Sequence, residues 1–269
     1  MNLSSQMIPL FVVIPLASAF LVSIVGERMK RVPDIFGNLT TLCLFCLSIL
    51  AVREANIHGT LVYSVGAWKP PIGIAMVLDS LSAFMLVTVN LVTCCIALYG
   101  ICYMERYTAK WQFYTLFLLT IAGMNGVIVT GDIFNLFVFL EIASIASYAL
   151  VAFGTERHEL EASFKYAVMS SVGSYFILLG IVFLYSFTST LNMADMAAVL
   201  VQKSGSRILL AVTALLIMGF GLKAALVPFH AWLPDAHPSA PAPISAMLSG
   251  VLIKAIGVLF GCAASLTAP

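Results

Sequence analysis

Formal charge is the scarcest thing in this sequence. Of 269 residues, 9% are Asp, Glu, Lys or Arg and 61% are hydrophobic, with a mean hydropathy of +1.05. Water-soluble domains carry about 25% charged residues, so the composition excludes one. The net charge is +1 and no long acidic or basic block is present, so nothing recommends nucleic acid or a strongly charged soluble substrate as a partner. Flavin and nucleotide fingerprints, cluster-spaced cysteines and haem-ligand patterns are missing too. No cofactor and no metal is therefore expected, and any electron transfer would belong to other chains. The six cysteines, Cys43, Cys46, Cys94, Cys95, Cys102 and Cys262, lie in or at the ends of apolar runs, where thiols act as small hydrophobes. Cys43 and Cys46 form a C-x-x-C, but no second Cys or His pair stands near enough to complete a zinc site. No short apolar core with a small-residue cleavage site precedes a polar chain. Ile8 to Val25 is long enough to span a bilayer and is followed by "GERMKR", which predicts a retained helix.

What is present is a series of long apolar runs at about 8–25, 35–52, 77–102, 112–130, 133–153, 164–187, 208–232 and 244–265. Lipid leaves the backbone no hydrogen-bond partner but itself, so runs of this length predict eight transmembrane helices and not the alternating ten-residue strands of a barrel. The expected fold class is an all-α, multi-pass integral membrane protein. Arg28, Lys30, Arg31, Arg106, Lys110, Arg157 and Lys165 follow the first, third and fifth spans, against Arg53, Lys69, Lys203 and Arg207 on the other side. That bias places both termini outside. Residues 53–76, "REANIHGTLVYSVGAWKPPIGIAM", mix β-branched and aromatic residues with Gly and Pro-Pro and predict an extended or hairpin segment on the outer surface. "NMADMAAVLVQK" (192–203) has apolar residues at helical spacing after Asn192, with Asp195 three residues on, and predicts a short capped interfacial helix.

Three formal charges fall near the centre of a predicted span: Glu141 in "IFNLFVFLEIASIASYALVAF", Lys223 in the seventh span, and Lys254 in "ISAMLSGVLIKAIGVLF". Each costs about 2.5–3.5 kcal/mol at the bilayer centre on insertion scales. A static bridge from Glu141 to Lys223, with Lys254 snorkelling to an interface, is the plainest reading. Lys254, however, sits about eleven residues, roughly 16 Å, from either end of its span, too far to reach headgroups comfortably. An acid and two bases inside a bundle fit a proton path better, because burial lowers a lysine's proton affinity while a nearby carboxylate restores it. Pro228 cannot donate to the carbonyl of Ala224, so the seventh span is predicted to break just after Lys223, between about Ala224 and Pro234, and broken helices at membrane depth line polar cavities. His230 stands beside that break, and because histidine as a residue type suits proton transfer it is a candidate relay toward Lys254. Asp235, His237 and the prolines 234, 238, 241 and 243 read as loop architecture. Asp79 and Asp132 read as N-caps. Asn125, Ser144, Ser147, Ser170, Ser171 and Ser174 serve either as packing glue or as the lining of a wet path, and the sequence does not separate the two.

Two stretches, "GDIFNLFVFLEIASIASYALVAFG" and "GFGLKAALVPFHAWLPDAHPSAPAPISAMLSGVLIKAIGV", resemble the antiporter-like, proton-conducting subunits shared by respiratory complex I, energy-converting membrane-bound hydrogenases and Mrp cation/proton antiporters. "VGAWKPPIGIAMVLDSLSAFM" is similar to that family's segment leading into its third helix. The resemblance implies that Glu141 matches the family's helix 5 glutamate, Lys223 the lysine of its broken helix 7, Lys254 its helix 8 relay lysine and His230 the histidine after the break. In that family the acid and the helix 7 lysine exchange partners as a proton enters, and the proton passes along a hydrated axis to a second half-channel. Family members have about fourteen helices, with two inverted repeats. The expectation here is one repeat only, in residues 111–269, preceded by spans one to three and the outer segment in residues 1–110. The helix 12 ionisable residue is not in the chain, so a complete path would need another chain or a further C-terminal part.

The function so implied is a proton-translocating, or proton/sodium-exchanging, subunit of a multisubunit complex-I-like respiratory or hydrogenase complex. It would have no redox site of its own, other membrane subunits and lipid as partners, and a prokaryotic plasma membrane as its place. The alternatives are a subunit of a non-redox Mrp-type antiporter and a transport-inactive membrane scaffold. The scaffold reading leaves the three buried charges without a purpose. A small-molecule transporter with a substrate site at the break is a third.

Overall fold

Where water cannot reach the backbone, N–H and C=O groups must pair within their own segment, and the chain forms helices almost throughout. The computed structural model describes residues 3–29, 31–107, 109–202, 207–253 and 255–257. In chain order they form α1 (Leu10–Val25), α2 (Val32–His58), strands β1 (Leu61–Ser64) and β2 (Ala75–Leu78), α3 (Ser80–Tyr103), α4 (Lys110–Val129), α5 (Ile133–Val151), α6 (Arg157–Thr188), α7 (Met193–Gln202), α8 (Arg207–Lys223), α9 (Leu233–Ser239) and α10 (Ala242–Met247). α10 leads straight into a π-helical turn over Leu248–Leu252. Six helices among the described residues, α1 to α6, are long and apolar enough to cross a membrane. The predicted seventh and eighth spans correspond to the shorter α8 and to the helix starting at Ala242. The chain is an integral, multi-pass membrane protein of all-α type.

The elements begin and end where the sequence supplies caps. Asp79 and Asp132 accept from the N–H groups of Ser82 at 2.7 Å and Asn135 at 2.8 Å, opening α3 and α5. Asn192 opens α7 by accepting from Ala194 and Asp195 N–H. Its own N–H goes to Thr190 and not to the side chain of Asp195, so the reciprocal half of the expected cap comes from upstream. In residues 53–76 α2 runs on to His58, six residues into the stretch read as extended. Glu54 and His58, 3.5 Å apart one turn from each other, prolong it, and Gly59 ends it at φ 71°. The hairpin follows, pairing Leu61 with Leu78 and Ser64 with Ala75.

That hairpin latches one end of the bundle. Gly131 N–H, between α4 and α5, donates to Ala75 O at 2.9 Å, and Met193 N–H donates to Gly131 O at 3.0 Å. The start of α5 is thereby fixed between β2 and α7. At the opposite end Lys110 joins Asp34 and the carbonyl of Ile101, both at 2.8 Å, tying α4 to α2 and α3.

α4 is the central helix, with Thr120 through Val127 all buried. It needs small residues to be surrounded so closely. A Cβ on Gly123 would stand 2.8 Å from the backbone and Cβ of Ala143 on α5. On its other side Asn125 solves a problem created in α1: Pro15 has no N–H for the carbonyl of Phe11, and Asn125 Nδ2 donates to that oxygen at 3.2 Å. Asn125 and Asn90 of α3 also exchange side-chain hydrogen bonds at 3.2 and 3.3 Å. Three helices are thus joined by neutral amides in the core.

Candidate functional site

Lys223 is the last residue of α8 and is 2% exposed. An ammonium has three N–H groups, and each has an acceptor here: Glu141 Oε1 of α5 at 2.9 Å, Ser144 Oγ of α5 at 3.0 Å and Ser170 Oγ of α6 at 3.3 Å. Glu141 Oε1 also accepts from Ser174 Oγ of α6. The carboxylate is less enclosed than its partner, with 28% of its side chain exposed against 1% for Lys223. A buried cation with a full acceptor shell, facing an acid with an open side, can exist charged and can lose its counter-ion by a side-chain movement alone.

The approach of α6 and α8 makes this possible. A Cβ on Gly173 would lie 3.0 Å from Gly219 O, and one on Gly219 would lie 2.8 Å from Gly173 O, so neither position accepts a side chain without parting the helices. Ser170, Gly173 and Ser174 form the small, buried stripe of α6 along which the lysine reaches α5.

The helix stops at Lys223 because Pro228 would set its ring against the carbonyl of Ala224, the first non-helical residue. Ala225 turns to φ 52°, Leu226 N–H returns to Gly221 O at 2.9 Å, and helix resumes only at Leu233. The carbonyl of Leu222 takes its hydrogen bond from the indole of Trp232, at 2.9 Å. Trp232 is buried and stacks on Tyr166 of α6, with centroids 4.2 Å apart and planes 9° apart. Tyr166 Oη meets Ser147 Oγ of α5 at 3.0 Å. One aromatic pair therefore holds the returning segment against both neighbours of the lysine.

Of the residues singled out from the sequence, Glu141 and Lys223 come together. His230 is exposed in the non-helical segment, and its side chain makes none of the hydrogen bonds around Lys223. Lys254 lies outside the described residues. Asp235 bonds Lys165 at 2.8 Å and His237 bonds Ser245 at 2.9 Å, both fastening the segment after the break. Burial pushes the Asp132 carboxyl up, against the pull of the backbone amides of Asn135 and Phe134 that it caps. The ambiguous residues now separate: Ser144, Ser170 and Ser174 line the site, Ser147 supports Tyr166, and Asn125 is the tie between α1, α3 and α4. Trp232, Tyr166 and Tyr148 went unnoticed in the sequence. The signal for Tyr148 was present in its spacing, since Glu141, Ser144 and Tyr148 fall on one stripe of α5.

Two family models match the chain. Residues 130–268 match "NADH:quinone oxidoreductase/Mrp antiporter, TM", and residues 63–114 match "NADH-Ubiquinone oxidoreductase (complex I), chain 5 N-terminus". The chain belongs to the NADH:quinone oxidoreductase/Mrp antiporter family. Relatives of this antiporter-type chain include NADH-quinone oxidoreductase subunit N of Desulforudis audaxviator, 40% identical over 77% of this chain and 43% of the relative. A Na(+)/H(+) antiporter subunit of Alkalihalophilus pseudofirmus is 30% identical over 90% of this chain and 50% of its own length. Among solved structures, the archaeal membrane-bound sulfane sulfur reductase, a respiratory membrane complex, superposes with a TM-score of 0.90 at 35% identity over 95% of this chain and 52% of its matched chain. The Mrp complex of Dietzia sp. gives 0.87 at 30% identity over 97% of this chain and 48% of its matched chain. The chain spans about half the length of the relatives it matches.

Proposed function

We propose that this chain is a proton-translocating subunit of a multisubunit membrane complex in an energy-transducing prokaryotic plasma membrane, with Lys223 as the proton carrier and Glu141 as the acid that sets its affinity. The observation that carries this reading is the 2.9 Å contact between a lysine 2% exposed and a carboxylate 28% of whose side chain is exposed. While Glu141 stays beside it, Lys223 keeps its proton; when Glu141 swings to its open side, burial favours the neutral amine and the proton leaves. The broken segment supplies the irregular backbone that a hydrated exit requires. His230 and Lys254 carry the proton on from the break in this reading.

Lys223→Met and Lys223→Arg test it in vesicles containing the assembled complex. Both abolish ion translocation while the complex still assembles, the second because guanidinium does not release its proton near neutral pH. Wild-type translocation by Lys223→Arg would make Lys223 a structural cation and end the proposal. Relatives include both a quinone-linked subunit and antiporter subunits. Identification of the subunits that co-purify in mild detergent separates proton pumping driven by a redox partner from non-redox exchange of protons for sodium.

A further inference from the structure

Loss of a proton changes what Lys223 asks of its surroundings. The ammonium needs three acceptors, and Glu141, Ser144 and Ser170 provide them. The amine keeps two N–H groups and gains a lone pair, which is costly to bury without a donor. One of the two serines must therefore turn its O–H toward the nitrogen. The neighbouring hydroxyls are committed elsewhere. Ser147 Oγ donates to Ser144 O at 2.7 Å, and so accepts from Tyr166 Oη at 3.0 Å. Ser174 Oγ is held between Glu141 and Ser170 O.

Tyr148 is different. Its hydroxyl is buried, Ser144 lies one turn before it on α5 and Ser170 one turn beyond its ring partner Tyr166 on α6, yet it closes no hydrogen bond among the described residues. Its ring is fixed by an edge-to-face contact with Tyr166, centroids 4.6 Å apart at 85°. Its carbonyl accepts from Ser163 Oγ at 2.8 Å. A hydroxyl on an immobile ring can still rotate its proton. Tyr148 stands three residues before the end of α5, about 4.5 Å along the axis, on the side facing the loop to Arg157.

We infer that Tyr148 is a further positioning residue of the translocation site, whose hydroxyl lets the Ser144–Ser170 pair switch from accepting from the Lys223 ammonium to donating to its amine, and which opens the reloading route toward the C-terminal end of α5. The inference rests on Lys223 being the proton carrier. In the loaded state, the arrangement seen here, Tyr148 Oη closes no hydrogen bond among the described residues. In the unloaded state Tyr148 donates to one of the two serines and that serine donates to the amine. Reloading moves one proton onto Tyr148 Oη as its own passes to the serine and the serine's passes to Lys223 Nζ; each oxygen gains one hydrogen and loses one, and the nitrogen gains the net proton. The titratable groups facing Tyr148 are Glu141 on its own helix, Tyr166 on α6 and, through the two serines, Lys223 on α8. Asp235 and His237 of α9 are engaged with Lys165 and Ser245.

Tyr148→Phe, which keeps the ring, tests this in vesicles of the assembled complex beside Lys223→Met and Tyr148→Leu. The expected result is translocation about tenfold slower in Tyr148→Phe, with the alkaline limb of the rate profile moved to lower pH because proton supply to the amine becomes limiting. Thermal stability stays at the wild-type value, whereas Tyr148→Leu lowers it by loss of the contact with Tyr166. Wild-type rates for Tyr148→Phe across the pH range, with Lys223→Met inactive, would overturn the role of Tyr148 and leave the proton carrier standing. Active Lys223→Met would remove both. Should Tyr148→Phe not assemble, a fluorotyrosine at position 148 keeps shape while acidifying the hydroxyl; an unmoved alkaline limb would then overturn the inference.

Discussion

Two buried polar ties cross this bundle and they are built on opposite principles. Asn90 and Asn125 join α1, α3 and α4 with neutral amides that exchange hydrogen bonds with each other, donate to the carbonyls of Leu86 and Phe11, and are 0% exposed. Glu141 and Lys223 join α5 and α8 with opposite charges, one partner enclosed and the other partly open, in a shell of hydroxyls that can accept or donate. The amide tie has a single satisfied state, so any movement leaves a polar group unpaired. Under the proposed function the charged tie has a second state within reach of one side-chain rotation and one proton. A membrane bundle can thus hold one half of its interior rigid while keeping a switch in the other.

The largest effect expected is that of Lys223→Met, which lowers ion translocation by about a hundredfold or more with assembly intact, read as proton flux per assembled complex. Glu141→Gln keeps an acceptor for Lys223 but removes the charge that holds its proton. Flux falls about tenfold or more, and the double variant with Lys223→Met is no slower than Lys223→Met alone, a non-additivity that marks one unit. Asn125→Ala sharpens the contrast. It leaves Phe11 O and Asn90 short of partners and destabilises the complex by about 1–3 kcal/mol, seen as a lower melting temperature. Flux per assembled complex stays unchanged; a well-assembled Asn125→Ala complex without flux would break the distinction between the two ties. Trp232→Phe keeps the ring stacked on Tyr166 but frees the Leu222 carbonyl, costing about 1 kcal/mol in the same melting measurement. Smallest of all, Ser170→Ala slows flux several-fold by removing one acceptor of Lys223, roughly 1 kcal/mol in hydrogen-bond terms, whereas Ser171→Ala, one residue along α6, leaves it unchanged.

Much of this was legible because lipid simplifies the code. Span positions follow from apolar length, the caps at Asp79 and Asp132 from residue type, and the break after Lys223 from the geometry of Pro228, which acts over only four residues. Glu141 and Lys223 stood out because a charge in a span is rare enough to need a reason. The extension of α2 to His58 was not legible, since polar residues beyond the membrane carry no apolar pattern to mark where a helix ends.

The sequence by itself determined that the chain is helical and membrane-embedded, where its seventh span fails, and that Glu141 and Lys223 fall within apolar spans, because each of these depends on neighbours along the chain alone. The tertiary structure decided which small polar residues surround those charges. Ser170 and Ser171 are equal in sequence terms, and a turn of about 100° per residue on a helix separates the one that meets Lys223 from the one that does not. It decided likewise that Asn125 serves the carbonyl freed by Pro15, that Trp232 serves the one freed at Leu222, and that the buried Tyr148 hydroxyl, one turn from Ser144, closes no hydrogen bond among the described residues. These are contacts across 10 to 114 positions of chain, or across one face of a helix against its neighbour. They exist only once glycines such as 173 and 219 have let the helices close, and no local pattern records which facing residue will then be within reach.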